Sequence, residues 1–238
     1  MFINIIRGLL NFFDKFQQIK IIKFFKKRFN KSIVFFDVGS HYGETVILFN
    51  NQIKVSFFHC FEPSSENFFK MKKILQKKKL LSIGKLNNFA LGDKSEKKFL
   101  NFTKETSSSS LNDFNLSSKY FKNKMKILNI NNINQYYKKE KILVKKLDDY
   151  IEDLNLEKID ILKIDTEGYE LNVLKGAVNN LKKIKYIYFE HHYDNMIIKR
   201  YTFTDINKIL IKNNFKKVFK TKMIFRKSFE YIYENLLI

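Results

Sequence analysis

The stretch FFDVGSHYGET, Phe35 to Thr45, sets Gly39 and Gly43 around Ser40 and His41, directly after an apolar run that reads as a buried strand. Glycines at a strand-to-helix turn let the backbone approach a ligand and let the helix start close to the strand. The spacing is not the GxGxxG of dinucleotide sites, because residue 41 is His and residue 44 is Glu. A pyrophosphate favours an uncluttered helix N-terminus, whereas here Asp37 precedes the turn and Glu44 opens the helix. Acids in these places suit a cationic ligand. S-adenosylmethionine, with an ammonium on its methionine end and a sulfonium sulfur, meets that requirement. A second apolar run ends in CFEP at Glu62 and Pro63. A carboxylate at the tip of a second strand is placed to accept hydrogen bonds from both ribose hydroxyls, and Pro63 fixes the backbone that follows. The candidate cofactor-binding residues are therefore Asp37, Gly39, Ser40, His41, Gly43, Glu62 and Pro63. Further along, IDTEG and FEHH bring Asp165, Glu167, Glu190, His191 and His192 to the ends of two more apolar runs. Carboxylates and imidazoles are the groups that move protons near neutral pH.

These residues need elements to hold them. SIVFFDVG, KVSFFHCFEP and KLNNFALGD read as strands, with ETVILFNNQ and SSENFFKMKKILQKKK as the helices between them. In the second helix Ser64 or Ser65 can cap the first turn, and Phe68, Met71, Ile74 and Leu75 share a face. Strands alternating with helices predict parallel pairing with right-handed crossovers, an α/β, doubly wound, mostly parallel sheet with flanking helices. KKFLNFT predicts another strand. The Ser- and Asn-rich stretch that follows reads as an inserted loop or lid over about 105–141, and Thr106 to Ser118 is where acceptor contacts are expected. The α/β pattern then returns. KILVKKLDDYIEDL reads as a strand and short helix, KIDILKIDTEG and IKYIYFEHH as strands, and TDINKILIKNNF as a helix. YELNVLKGAVNNLKK reads as a helix with Leu171, Leu174 and Val178 on one side, and KKVFKT and KSFEYIYENL as closing strands. The expected organisation is an amphipathic helical extension over residues 1–30 and a ligand-binding domain over 31–238.

FFDVGSHYGET, FEPSSENF, ALGD, ILVKKLDDYI, IDILKIDTEGYELNVLKGA and YIYFE, in this order, resemble the FkbM family of S-adenosylmethionine-dependent methyltransferases from about Ser32 to Glu190. LKIDTEGYELNVLKGA is the most specific piece, and His41 stands where the family usually has Asn. The resemblance implies a class I methyltransferase (Rossmann-like) fold. It also implies an O-methyltransferase acting on a hydroxyl of a saccharide, glycan or related metabolite, as in polysaccharide biosynthesis. Displacement at a methyl carbon needs alignment and a desolvated pocket, and an alcohol acceptor needs somewhere to leave its proton. Asp165, Glu190 and His191 are the candidate catalytic residues. Asp165 stands first, as general base or as the acid that holds the acceptor hydroxyl and the methionine end. Glu167 is either a site acid or a helix cap. His192, adjacent to His191 on a strand, is expected to face the opposite side and to pack or lie at the surface. Glu190, His191 and Asp165 have the chemistry to bind a divalent metal, but no metal is predicted.

A chain of 238 residues with 26 Phe and 12 Tyr can bury one sizeable core. Its net charge of +21 invites a polyanion partner. The only arginines are Arg7, Arg28, Arg200 and Arg226, while Lys, Asn, Ile and Phe run from end to end, as A/T-rich codon drift would produce. Arginine is the better fork for phosphates and bases, so its scarcity argues against nucleotide readout. A base methyltransferase gripping a flipped amine would carry Asn or Asp followed by two prolines where this chain has DTEG, and Pro63 is its only proline. Cys60 lies within a strand, where it cannot serve as a cytosine nucleophile. The expected partner is a small-molecule or glycan acceptor, with no specific nucleic acid. The rival reading is a lysine-rich module on a methyltransferase scaffold that binds acidic polymer or membrane. A lone cysteine excludes an intramolecular disulfide and fits a reducing, cytoplasmic location. Ile6, Leu9, Leu10, Phe13 and Phe16 form a helical stripe with lysines gathering toward Lys26 and Lys27. That stripe fits a cap helix or a basic amphipathic helix resting on the inner face of an anionic membrane. No run reaches the roughly 18 apolar residues of a membrane span, and a signal peptide is not expected.

Overall fold

Strand β1 (Ile33–Val38) carries apolar side chains on both faces, which suits only the centre of a sheet covered on both sides. The computed structural model, which describes residues 17–224 and 226–238, places it there. Among these residues the main sheet has the order β3-β2-β1-β7-β8-β10-β9. Its members are β2 (Val55–Phe61), β3 (Gly84–Asn87), β7 (Ile159–Ile164), β8 (Ile184–His192), β9 (Phe215–Lys222) and β10 (Ser228–Asn235). All neighbours pair in parallel except β10, which runs antiparallel to both β8 and β9. The expected doubly wound class is observed.

Alternation along each strand sorts the core into two layers. Phe36, Val38, Leu162, Ile164, Ile187, Phe189, Tyr231 and Tyr233 face α5 (Leu147–Asp153), α6 (Glu170–Lys175) and α7 (Phe203–Lys212). Ile33, Phe35, Phe58, Ile161, Tyr186, Tyr188 and Ile232 face the opposite way, toward α1 (helical residues 17–26), α2 (Glu44–Gln52) and α3 (Ser65–Lys77). Phe35 stacks on Phe49 of α2 with ring centroids 4.6 Å apart. A fully buried Phe of this kind contributes about 2–3 kcal/mol. Ile21, Ile22, Phe24 and Phe25 of α1 are buried in the same layer, so the described part of the 1–30 segment packs into the domain core. The stripe from Ile6 to Phe16 lies outside the described residues. Among the described residues no helix is long and apolar enough to cross a membrane.

Three segments depart from the sequence-based expectation. KLNNFALGD splits into β3 and β4 (Ala90–Leu91), and β4 belongs to a small sheet of order β4-β6-β5. The split occurs at two asparagines that spend their amides on backbone: Asn87 donates to the Cys60 carbonyl and Asn88 to those of Glu62 and Pro63. The stretch about 105–141 is a folded excursion between β5 (Glu96–Thr103) and β6 (Tyr137–Lys145). It contains α4 (Lys119–Ile127), capped by the Ser118 hydroxyl, which accepts from Phe121 N at 3.0 Å, and its own cluster around Phe114, Phe121 and Tyr136. The predicted helix YELNVLKGAVNNLKK is α-helical only over α6, with a short 3-10 turn at Leu181–Lys183; the chain turns at Gly176, which packs so close to the Gly92 carbonyl that a Cβ would stand 1.9 Å from it. Leu171 and Leu174 are buried as expected, whereas Val178, beyond the turn, is exposed.

Candidate functional site

The glycine turn after β1 is shaped by protein before it meets any ligand. Gly39 has φ +80°, and a Cβ there would stand 1.9 Å from the Asp165 carbonyl oxygen. The close approach is therefore to the turn after β7, where Asp165 N donates to the Val38 carbonyl. Gly43, at φ +82°, precedes α2 and packs on Leu75 of α3. Ser40 is buried and structural: its hydroxyl donates to the Asp37 carbonyl at 2.6 Å and accepts from Phe61 N at 3.1 Å. Asp37 is fully buried, with Lys163 Nζ 3.2 Å away on the neighbouring strand β7. Burial pushes its carboxyl up to about 6 against the pull of Lys163. Asp37, Ser40 and Gly43, candidates for ligand contact, hold the turn in this structure and are not among the residues lining the cleft beside it.

Gly39, His41, Glu62 and Pro63 do converge on one cleft. Val38, Phe61, Ala90, Leu91 and Leu100 supply an apolar wall, and Asp165, Thr166 and Glu167 close the end. Glu62 is 5% exposed and is pushed up to about 7 by burial. One carboxylate oxygen accepts from His41 N at 2.8 Å and the other from Ser64 N at 3.0 Å. The Asn67 side chain also bonds this carboxylate, and the acceptor capacity that remains fits a ribose hydroxyl. The His41 ring is held between the Glu44 carboxylate at 3.1 Å and the Thr106 hydroxyl at 2.7 Å. Thr106, Ser107, Ser109 and Leu111 of the excursion roof this cleft, and Ser110 ties it down by donating to the Glu167 carbonyl at 2.7 Å. The polar roof therefore covers the Glu62 side of the site.

Beyond Asp165 the face toward α1 and α2 carries a row of charges at the carboxyl ends of the strands. Lys163 lies between Asp37 and Asp165, at 3.2 and 3.3 Å. Although burial works against its charge, the two carboxylates raise the Lys163 pKa. Glu190 of β8 and Glu230 of β10 are register partners on antiparallel strands and line a second cleft with Lys163, Asp165, Tyr188 and Arg226. Asp165 lines both clefts. Lys163 and Glu230 were not among the sequence-based candidates. A lysine inside the apolar run KIDILKI is the signal that could have found the first, and a glutamate in phase with Ile232 along SFEYIYEN the second.

The paired histidines face opposite sides of the strand, as expected, with His192 and not His191 on the side of the acids. The alternation holds, but its phase puts His191 on the α6–α7 side, ringed by Tyr193, Tyr201 and Phe203 with centroids 4.8–6.0 Å away. Burial there drives its imidazole down to about 3. His192 enters the acid cluster, 3.4 Å from Glu167 and 3.5 Å from both Glu190 and Asp194. Against the cost of burial, Glu167 and Glu190 lift its pKa to about 10 and keep it an imidazolium. Glu167, at φ +52°, does not cap α6. Glu170 accepts from the Thr166 and Gly168 amides instead. Among the described residues no group of three or more His, Cys, Asp or Glu side chains could hold a metal ion.

The profile of the methyltransferase FkbM domain matches residues 37–217, most of the chain. The chain belongs to the FkbM methyltransferase family. Among solved structures, methyltransferase FkbM from Methylobacillus flagellatus KT is similar at 18% identity and TM-score 0.53, covering 85% of this chain and 44% of that one. This FkbM chain thus spans less than half the length of that relative. M. capricolum TrmK, solved with S-adenosyl-homocysteine, matches at 10% identity and TM-score 0.51, covering 90% and 67% of the two chains. An rRNA methylase from Streptococcus thermophilus matches at 9% identity and TM-score 0.52, covering 91% and 95%. At such identities these likenesses show the fold, that of the class I, Rossmann-like methyltransferases. No curated protein matches the chain significantly.

Proposed function

We propose that this FkbM-family chain is an S-adenosylmethionine-dependent O-methyltransferase whose acceptor is a hydroxyl of a saccharide, glycan or related small metabolite. The observation that carries the reading is the buried Glu62 carboxylate, fixed by two backbone amides beside the glycine turn with lone pairs left for a ribose. When bound, S-adenosylmethionine supplies an electrophilic methyl group. The apolar wall of Val38, Phe61, Leu91 and Leu100 excludes water from it. In this reading Asp165 holds the acceptor hydroxyl and takes its proton as the oxygen accepts the methyl group, which its position lining both clefts supports. Lys163, 3.3 Å away, fixes that carboxylate. The lone cysteine, buried on β2, supports a cytoplasmic, reducing location.

Calorimetric titration of S-adenosylmethionine into the wild type and Glu62→Ala tests the cofactor half of this reading. Loss of charged hydrogen bonds of about 1.5–3 kcal/mol each predicts micromolar binding weakened at least about tenfold in the variant. No binding by the wild type overturns the cofactor assignment. Transfer of labelled methyl to nucleic acid but to no glycan overturns the acceptor.

A further inference from the structure

The small sheet has two unlike faces. Leu100, Phe102, Ile142 and Val144 of its inner phase form a buried cluster with Ala90 of β4, and Ala90, Leu91 and Leu100 line the first cleft. The opposite phase carries Lys97 and Phe99 of β5 and Lys139, Lys141 and Leu143 of β6, all exposed. The register sets Lys97 against Leu143 and Phe99 against Lys141. The two apolar side chains are therefore diagonal neighbours on one surface, each beside a lysine. Phe99 is 57% exposed and Leu143 39%.

Charge is divided by the same phase. Glu96 and Glu140, the acids of these two strands, belong to the inner phase. The lysines that share that phase are engaged: Lys98 pairs with Glu96 at 3.3 Å and donates to the Tyr169 hydroxyl at 3.0 Å, and Lys138 lies over the Phe102 ring. Among the described residues Lys97, Lys139 and Lys141 have no ion-pair partner. Asp113 stands at one end of the outer face, 3.5 Å from the Asn101 amide. Asp149, bonded to Ser95 just before β5, is held by Lys146 at 3.3 Å. Lysines alone would suit the protection of an exposed sheet edge, but an apolar pair set among them serves no such purpose.

We propose that this outer face docks on an anionic phospholipid bilayer. Phe99 and Leu143 seat at the boundary of headgroups and acyl chains, and Lys97, Lys139 and Lys141 reach the lipid phosphates. Charge complementarity selects this occupant. A second copy of the chain would bring the same lysines face to face, and a nucleic-acid strand would find one aromatic ring where stacking platforms present several. The first cleft lies against the inner face of the same sheet, so docking holds it roughly one sheet layer, about 10 Å, from the lipid. The inference stands on this surface and not on the methyltransferase reading.

The chain has no tryptophan, so Phe99→Trp in the full chain gives a single reporter on this face. Ile211→Trp, at an equally exposed position of α7, is the control. Each is titrated with vesicles of phosphatidylcholine, with or without an equal part of phosphatidylserine, bearing brominated acyl chains. The expected result is a blue shift and bromine quenching for Phe99→Trp with the anionic vesicles alone, and neither for Ile211→Trp. Vesicle co-sedimentation at physiological ionic strength is the second measurement. Reversing Lys97, Lys139 and Lys141 together to Glu is expected to lower affinity at least about tenfold, each lysine at an anionic surface contributing about fivefold. Reversing Lys72, Lys73 and Lys77 on α3 changes the net charge equally and is expected to lower it less than about threefold. Thermal melting confirms that each variant folds. Three results overturn the proposal: Phe99→Trp emission unmoved by anionic vesicles, equal losses in the two charge-reversed variants, or quenching by single-stranded RNA without a response to vesicles.

Discussion

Gly39 and Glu62 show how single side chains set this site. At Gly39 both the backbone angle and the neighbouring Asp165 carbonyl, 1.9 Å from a built Cβ, forbid a side chain. Gly39→Ala is expected to cost at least about 3 kcal/mol in urea denaturation, since it strains φ and separates β1 from the β7 turn. A loss under 1 kcal/mol would mean that the turn can move aside. Glu62 carries a pH dependence. Burial holds its carboxyl up to about 7, so its ionised fraction falls from about nine-tenths to one-tenth between pH 8 and pH 6. Affinity for S-adenosylhomocysteine is expected to fall roughly tenfold over that interval in the wild type and to stay level in Glu62→Gln. A level wild-type profile would show that the ionised carboxylate is not the binding form.

At the scale of the element, β8 decides which histidine matters. One residue of phase turns Glu190 and His192 toward the acids and His191 toward Tyr193, Tyr201 and Phe203. His191→Phe replaces a neutral ring in an aromatic cage and is expected to change stability by less than about 1.5 kcal/mol while leaving methyl transfer intact. His192→Ala leaves Glu167 and Glu190 buried without their countercharge and is expected to cost about 3–5 kcal/mol. Chemical denaturation of the two variants ranks them directly, and a reversed ranking would contradict the phase of the strand. IKYIYFEHH shows a strand clearly, but apolar side chains on both of its faces give no cue to which face is which until α1, α2, α6 and α7 are in place.

The whole molecule keeps several acids protonated above their ordinary range. Burial raises Asp37 to about 6, Glu62 and Glu167 to about 7, and Glu230 to about 8. In each case the folded chain holds its proton to a higher pH than the unfolded one, so it binds more protons through this range and stability falls as pH rises. His192 acts in the same direction: the stability from its charged form is complete below about 6.5 and is lost as pH rises through about 10. The melting temperature without cofactor is expected to decline from about pH 6 to pH 9. A flat or rising profile would show that these groups do not carry raised values in the folded state.

The sequence by itself determined the α/β alternation, the place of the first turn and the acid at the tip of β2, because each rests on local patterning over a few residues. It also marked Asp165 and Glu190 as strand-end acids. Tertiary structure decided that Asp37 pairs with Lys163, that Ser40 serves the backbone, that Glu170 accepts from the Thr166 and Gly168 amides of the turn before α6, and that Glu230 meets Glu190 across β8 and β10. Those outcomes depend on which strands become neighbours and which face each helix covers. Such long-range pairings leave no trace in the spacing of residues along the chain.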